Sequence, residues 1–130
     1  MQPKVFNEQF APHLKQDVTI VVASGYNVYF KLLKFSPGQD VVMVAPRYAQ
    51  SYLILFEDVI DSCHRMIGSS VRSLYQTGVG YPCFVSVEQD GSGIALETAL
   101  GLARAIGATK GGAITSSARE ETALDLFAGK

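Results

Sequence analysis

Two carboxylates near the end of the chain, Glu121 and Asp125, have the spacing best suited to chemistry. They are four positions apart, so a helix would place both side chains on one face. A pair of carboxylates on one face can hold a divalent cation. The same spacing is more common on the solvated surface of a helix, so the pair predicts either a metal site or an exposed acidic face.

The sequence Gly91-Ser92-Gly93 lies between a predicted strand and a predicted helix, where a phosphate-binding loop would lie. The dinucleotide-binding fingerprint needs a third glycine at position 96, and this chain has Leu96 there. The loop is therefore weak evidence for a phosphate cradle, although the N-terminus of the following helix could still bind an anion.

The other reactive side chains lack the partners that catalysis or metal binding needs. His13 and His64 have no acidic or cysteine partner at ligand spacing, and Ser24 is not in a G-x-S-x-G motif. Cys63 and Cys83 are too few and too poorly spaced for a disulfide scaffold or a zinc site. This cysteine usage favours a reducing compartment.

Apolar runs of strand length alternate with helical patterns along the chain. Strands are predicted at residues 18–23, 40–45, 83–88 and 111–116, and helices at 4–14, 26–33, 48–65, 66–75, 94–106 and 119–127. The order strand, helix, strand, helix after residue 78 predicts a parallel sheet with right-handed crossovers. We expect a single α/β domain over residues 1–130, a partial Rossmann-like three-layer fold with a mostly parallel sheet of about four strands.

In an open parallel sheet, ligands bind beyond the carboxyl ends of the strands. Those ends are small, polar or glycine-rich here: Ser24-Gly25, Pro46-Arg47, residues 88–93 and Ser116-Ser117. They predict either a ligand-facing rim or ordinary turn chemistry. Gly25 directly follows a buried strand, which predicts the close approach of a ligand or of another backbone segment.

Hydrophobic residues make up 48% of the 130-residue chain, which is enough for one packed core. The net charge is −1 and the basic residues are scattered, so we expect no nucleic-acid partner and no membrane partner. No apolar run is long enough to predict a membrane span, and residues 1–10 lack the features of a secretory signal. These features favour an intracellular, cytoplasmic protein.

Five blocks of sequence carry a family resemblance: APHLK (11–15), VASGYNVYF (22–30), DVVMVAPR (40–47), GYPCFVSVEQDGSGIALETALGLARAIGATKGGAI (80–114) and EETALDLF (120–127). In this order they resemble the ketol-acid reductoisomerase family, also called acetohydroxyacid isomeroreductase. The resemblance implies an oxidoreductase of branched-chain amino acid biosynthesis, on the route to isoleucine and valine. Such an enzyme uses NADPH and two Mg²⁺ to isomerise and then reduce acetolactate or acetohydroxybutyrate.

The resemblance also implies that the chain is a fragment. It covers the later part of the family's N-terminal NADP-binding Rossmann domain. The first βαβ units, with their glycine-rich phosphate loop, have no counterpart in this sequence, and neither does the C-terminal helical domain.

At the family's functional positions this chain has different residues. Where the family's A-H-G-F motif has a catalytic histidine, this chain has Ser24, and Arg47 replaces the lysine of A-P-K near the substrate. Glu88 replaces the histidine of V-H-Q-D. Asp125 matches the first of two metal carboxylates in D-L-F-G-E, but Gly129 replaces the second.

These matches imply NADP(H)-binding positions and a metal position. The implied cofactor positions are Ser24, Gly25, Pro46 and Arg47, and the metal position is Asp125, with Glu121 one helical turn before it. No catalytic residue is intact, so we expect a pseudoenzyme that is inactive alone. We also expect that NADP(H) and Mg²⁺ bind poorly to this chain by itself.

Two alternative functions stay open. The chain could belong to an NADPH- and Mg-dependent ketol-acid reductoisomerase completed by other sequence, as a homo-oligomer or with a complementing chain. A full-length eukaryotic parent could then be mitochondrial or plastid. Alternatively, the chain is a non-enzymatic interaction module that uses its exposed sheet edge or the apolar surface at residues 52–56.

Residues 48–65 have no counterpart in the family pattern, which continues from Arg47 to Met66. They predict an insertion within the domain. The insertion is either a translated intron or a genuine helix that covers the sheet edge or contacts a partner.

Overall fold

The computed structural model describes residues 2–47 and 68–128. An N-terminal helical segment consists of consecutive turns at Pro3–Val5 (α1), Phe6–Phe10 and Ala11–His13. The other helices are α2 (Tyr26–Tyr29), α3 (Gly68–Thr77), α4 (Ala95–Ala105) and α5 (Ala118–Ala128), with a 3₁₀ turn at Ala108–Lys110. The strands are β1 (Thr19–Val22), β2 (Asp40–Pro46), β3 (Cys83–Gln89) and β4 (Ala113–Thr115). All four predicted strands are therefore confirmed, with small shifts at their ends.

The predicted insertion at residues 48–65 lies outside the described residues, and it stays a prediction. The apolar surface at residues 52–56 and the side chains of Cys63 and His64 also lie outside them. The helix predicted at 66–75 is present as α3 over its described part. Within residues 2–47 and 68–128, no helix is long and apolar enough to cross a bilayer.

The four strands form one sheet in the order β1-β2-β3-β4. β1 pairs in parallel with β2, and β3 pairs in parallel with β4, so the expected mostly parallel sheet is confirmed. However, β2 and β3 are antiparallel, with Pro46 beside Cys83 and Val41 beside Gln89. The carboxyl end of β3 therefore lies beside the amino end of β2. The expectation of one ligand-facing rim made from all four carboxyl ends is wrong, because the residue pattern of a buried strand does not encode its direction.

The main core lies between α4 and the two central strands. Successive strand residues point to opposite faces of a sheet. The strand side chains that face α4 are apolar and buried: Val42, Val44, Cys83 and Val85. Three alanines of α4 are fully buried against them and let the helix lie close to the sheet: Ala95, Ala99 and Ala103. The helix ends before Gly107, whose φ of +86° is left-handed.

α5 lies on the opposite face of the sheet. Phe84 precedes Val85 in β3, so its side chain points away from α4. The guanidinium carbon of Arg47 lies 4.8 Å from the centre of the Phe84 ring on that side. A second core cluster, built on Phe6, Ile20 and Leu33, packs the N-terminal helical segment and α2 around β1. Helices on both faces of the sheet give the expected three layers.

Asp40, the first residue of β2, holds the loop that leads into α4. Its carboxylate accepts hydrogen bonds from the backbone N–H groups of Gly91 and Ser92, both at 2.9 Å. The Ser92 hydroxyl donates a third hydrogen bond to Asp40 at 2.7 Å. These are the donors that a bound phosphate would need, and a carboxylate of the protein already uses them. The structure therefore gives no support to a phosphate cradle at this loop.

The first N–H groups of α4 are bonded to a second carboxylate. Asp90 accepts hydrogen bonds from the N–H of Gly93 at 2.7 Å and from the N–H of Ala95 at 3.4 Å. Ile94 occupies the N-cap position of α4. The Ser92 hydroxyl donates to Asp40 and also accepts a hydrogen bond from the Ile94 N–H at 3.1 Å.

We predict that Asp40→Asn removes part of the pH dependence of folding. The hydrogen bonds from Ser92 are the main cause that holds the pKa of the Asp40 carboxyl below its ordinary value of 3.8. A carboxyl whose pKa is lowered by folding stabilises the folded state above that value, and this contribution is lost as the pH falls through the folded-state pKa. Urea unfolding near neutral pH and at about pH 3 should show a smaller acid-induced loss for the variant than for the wild type.

The matched control is Asp17→Asn, which removes a carboxylate at an exposed position of the same chain. Equal acid-induced losses in the wild type and in Asp40→Asn would contradict this role of Asp40.

Candidate functional site around Arg47

Arg47, directly after β2, is buried and binds both carboxylates of the predicted metal pair, Glu121 and Asp125. Its Nη1 donates to Asp125 Oδ1 at 2.5 Å, and its Nη2 donates to Glu121 Oε1. The side chains of Arg47 and Glu121 are 3% and 0% exposed, whereas that of Asp125 is 27% exposed. A planar guanidinium fork suits two carboxylates on successive turns of one helix. The acidic face of α5 is therefore part of an internal ion-pair cluster.

Gly25 brings the end of β1 to the same cluster. Its backbone N–H donates to Glu121 Oε2 at 2.6 Å, so both oxygens of the Glu121 carboxylate are bonded. A Cβ atom at Gly25 would lie 2.4 Å from the carbonyl oxygen of Ala118. Only glycine lets the backbone of α5 pass this close to the end of β1. Of the two close approaches predicted at Gly25, the structure contains the approach of another backbone segment.

The charge state of Glu121 depends on burial and on two neighbours, Gly25 and Arg47. Burial raises the pKa of the Glu121 carboxyl above its ordinary value of 4.5, since removal from water disfavours the charged form. The hydrogen bond from Gly25 and the charge of Arg47 act in the opposite direction, and the nearby Asp125 adds to the rise. Glu121 therefore relies on Gly25 and Arg47 to stay ionised inside the protein.

The start of α5 is fixed from across the sheet by Glu88. Its Oε1 accepts hydrogen bonds from the Ala118 N–H at 2.7 Å and from the Ser86 hydroxyl at 2.6 Å. Ser117 and Glu120 form a reciprocal pair, in which the Glu120 N–H donates to the Ser117 hydroxyl at 3.2 Å. The S-x-x-E spacing of that pair is typical of a helix start, and this signal could have placed the start of α5 from the sequence. No local pattern indicates the role of Glu88, because its partner lies 30 residues away.

The positions implied for NADP(H) differ in their surroundings. Ser24 is half-buried in the turn after β1, and Pro46 is buried in β2 beside Cys83. Gly25 and Arg47 both bond to Glu121. The backbone N–H of Gly25 and the guanidinium of Arg47 thus already donate hydrogen bonds to a carboxylate. In this arrangement they do not fit a phosphate. NADP(H) contact at these positions stays a prediction.

Residues 1–54 and 56–112 match the family described as acetohydroxy acid isomeroreductase, NADPH-binding domain. The chain belongs to this family. The ketol-acid reductoisomerase (NADP(+)) of Methanobrevibacter smithii is 40% identical over 127 residues, which are 98% of this chain and 33% of that protein. The enzyme of the same name from Pyrobaculum aerophilum is 43% identical over 126 residues, with 97% and 33% of the two chains covered.

The fold agrees with a solved member of the ketol-acid reductoisomerase family. An NADH-preferring ketol-acid reductoisomerase from an uncultured archaeon superposes with a TM-score of 0.79 at 31% identity. The superposition covers 97% of this chain and 33% of that chain. The family and the Rossmann-like fold predicted from the five sequence blocks are confirmed. The chain spans about a third of the length of the relatives it matches.

The Mg²⁺ implied by the family resemblance does not fit this cluster as it stands. Over residues 2–47 and 68–128, no three side chains of His, Cys, Asp or Glu converge on a point that could hold a metal ion. The two carboxylates nearest to such a site, Glu121 and Asp125, already bind the guanidinium of Arg47. Metal binding at these two residues stays a prediction.

We predict that Gly25→Ala destabilises the chain by roughly 1–3 kcal/mol. The added methyl group would collide with the backbone of Ala118, so α5 would have to move away from β1. This movement would also break the hydrogen bond between the Gly25 N–H and Glu121. Urea unfolding followed by circular dichroism measures the effect.

Gly101→Ala is the matched control, because a Cβ atom at Gly101 meets nothing within 4 Å. Gly101 lies inside α4, where alanine should stabilise the helix by about 0.5–1 kcal/mol. If both alanine variants were equally stable, the close packing of α5 on Gly25 would not hold.

Proposed function

We propose that this chain is a ketol-acid reductoisomerase domain that does not catalyse by itself. The observation that carries the proposal is the closed cluster around Arg47. Its cation and its two carboxylates bind each other inside the protein. A catalytic site needs such groups directed at a substrate or at the reacting atoms.

The residue at the family's histidine position supports the same proposal. Ser24 stands there, next to Gly25 in the turn after β1. A histidine changes protonation near neutral pH and can therefore serve as a general base. A serine hydroxyl stays protonated near neutral pH, and an adjacent base would make it a nucleophile and not a general base. At this position the chain thus lacks the catalytic histidine that the resemblance implies.

Membership of an NADPH-binding domain family supports NADP(H) as the cofactor of the parent protein. For this chain alone we propose weak binding at most. The loop before α4 uses its N–H groups on Asp40, and Gly25 uses its own on Glu121. The family's glycine-rich phosphate loop, which the resemblance places earlier in the Rossmann domain, has no counterpart in this sequence.

An exposed apolar surface next to the cluster favours completion by other sequence as the second candidate function. Tyr26, Tyr29 and Phe30 of the α2 region are exposed, and the ring centres of Tyr26 and Phe30 lie 4.7 Å apart. Leu126 and Phe127 of α5 are exposed as well, and α5 shares a groove with Tyr29. A complementing chain or a second copy could bury this surface and reach Asp125.

The purified chain should oxidise no NADPH above the protein-free rate when acetolactate and Mg²⁺ are supplied. We also expect calorimetry to detect no NADPH binding even at millimolar ligand. Turnover by the chain alone that disappears in Asp125→Asn would contradict the proposal.

Adding the remaining two-thirds of the Methanobrevibacter smithii enzyme as a separate polypeptide distinguishes the two candidate functions. If the chain does not catalyse, this mixture should oxidise no more NADPH than the added polypeptide does alone. Activity of the unmodified chain in the mixture would instead support an enzyme completed by other sequence.

A further inference from the structure

Glu121 and Asp125 present oxygen atoms one helical turn apart, and carboxylate oxygens are the ligands that Mg²⁺ and Mn²⁺ prefer. Both carboxylates are directed at a single group, the guanidinium of Arg47. Mg²⁺ is commonly held by one or two carboxylates together with water. The partly exposed side of Asp125 would give water access to such an ion.

The guanidinium is placed as a bridging cation would be. It binds one oxygen from each carboxylate through its two terminal nitrogens. Phe84 covers one face of the guanidinium with its ring. The second oxygen of Glu121 is fixed by the Gly25 N–H, so the carboxylate cannot turn away without losing that bond. The carboxylates are thus held in position by groups other than a metal.

We propose that Arg47 takes the place of a divalent cation in this chain, and that it closes a latent metal site formed by Glu121 and Asp125. The inference rests on the geometry of the cluster and does not depend on the proposed lack of catalysis. It accounts for the disagreement between the Mg²⁺ implied by the family and the residues present here. The wild-type chain should fold and remain stable without any divalent cation.

The test is Mn²⁺ binding, followed by electron paramagnetic resonance of the free ion. Wild-type protein should show no saturable site, whereas Arg47→Met should gain one saturable Mn²⁺ site, because the competing positive charge is gone. Arg47→Lys, which keeps that charge, should behave like the wild type. Arg47→Met combined with Asp125→Asn should lose the gained site.

A buried carboxylate without its partner strongly destabilises a protein, so Arg47→Met could be unfolded without metal. In that case Mn²⁺ should restore its folded circular dichroism spectrum, because an ion that binds only the folded state stabilises it. Failure of Mn²⁺ to bind or to refold this variant would overturn the proposal. Saturable Mn²⁺ binding to the wild type that Asp125→Asn abolishes would overturn it equally.

Discussion

The buried contact between Arg47 and the carboxylates of α5 connects parts of the chain that are far apart in sequence. Arg47 lies 74 residues before Glu121 and 78 residues before Asp125. The contact ties the last helix to the end of β2, and the Gly25 N–H ties it to the end of β1. Burying a charge costs much free energy unless it is paired and hydrogen-bonded, so the buried Glu121 carboxylate depends on both of these contacts.

The same use of internal carboxylates recurs at the start of α4. There Asp40 and Asp90 accept the N–H groups of a glycine-rich loop that a phosphate would otherwise need. In both places the protein supplies its own charged group at a position where the sequence alone suggests an external ligand.

Much of the fold could be predicted from local patterns. The buried run of β2 and the alanine face of α4 are local signals, and both are present in the structure. The direction of β3 relative to β2 could not be predicted. A strand that is buried on both faces has the same apolar sequence pattern whether its neighbour is parallel or antiparallel. The connection between the two strands is residues 47–82 and includes α3, so no short hairpin turn indicates their antiparallel pairing.

The candidate site was predicted in pieces. Gly25 and Arg47 were identified as cofactor positions and the two acidic residues of α5 as a metal pair, yet the structure joins all of them in one cluster. Their pairing depends on how α5 packs on the sheet, which no spacing within the sequence encodes. Glu88 was identified as part of a strand end and as a departure from the family pattern, and its hydrogen bond to α5 depends on the same packing.

A double-mutant cycle between Arg47 and Glu121 tests the central claim most directly. The unfolding free energies of the wild type, Arg47→Met, Glu121→Gln and the double variant would be compared by urea unfolding. If the ion pair joins α5 to the sheet, each single change should cost about 3–5 kcal/mol and the double variant far less than their sum. Costs that add to within about 0.5 kcal/mol would show that the two residues act independently, and would contradict the account.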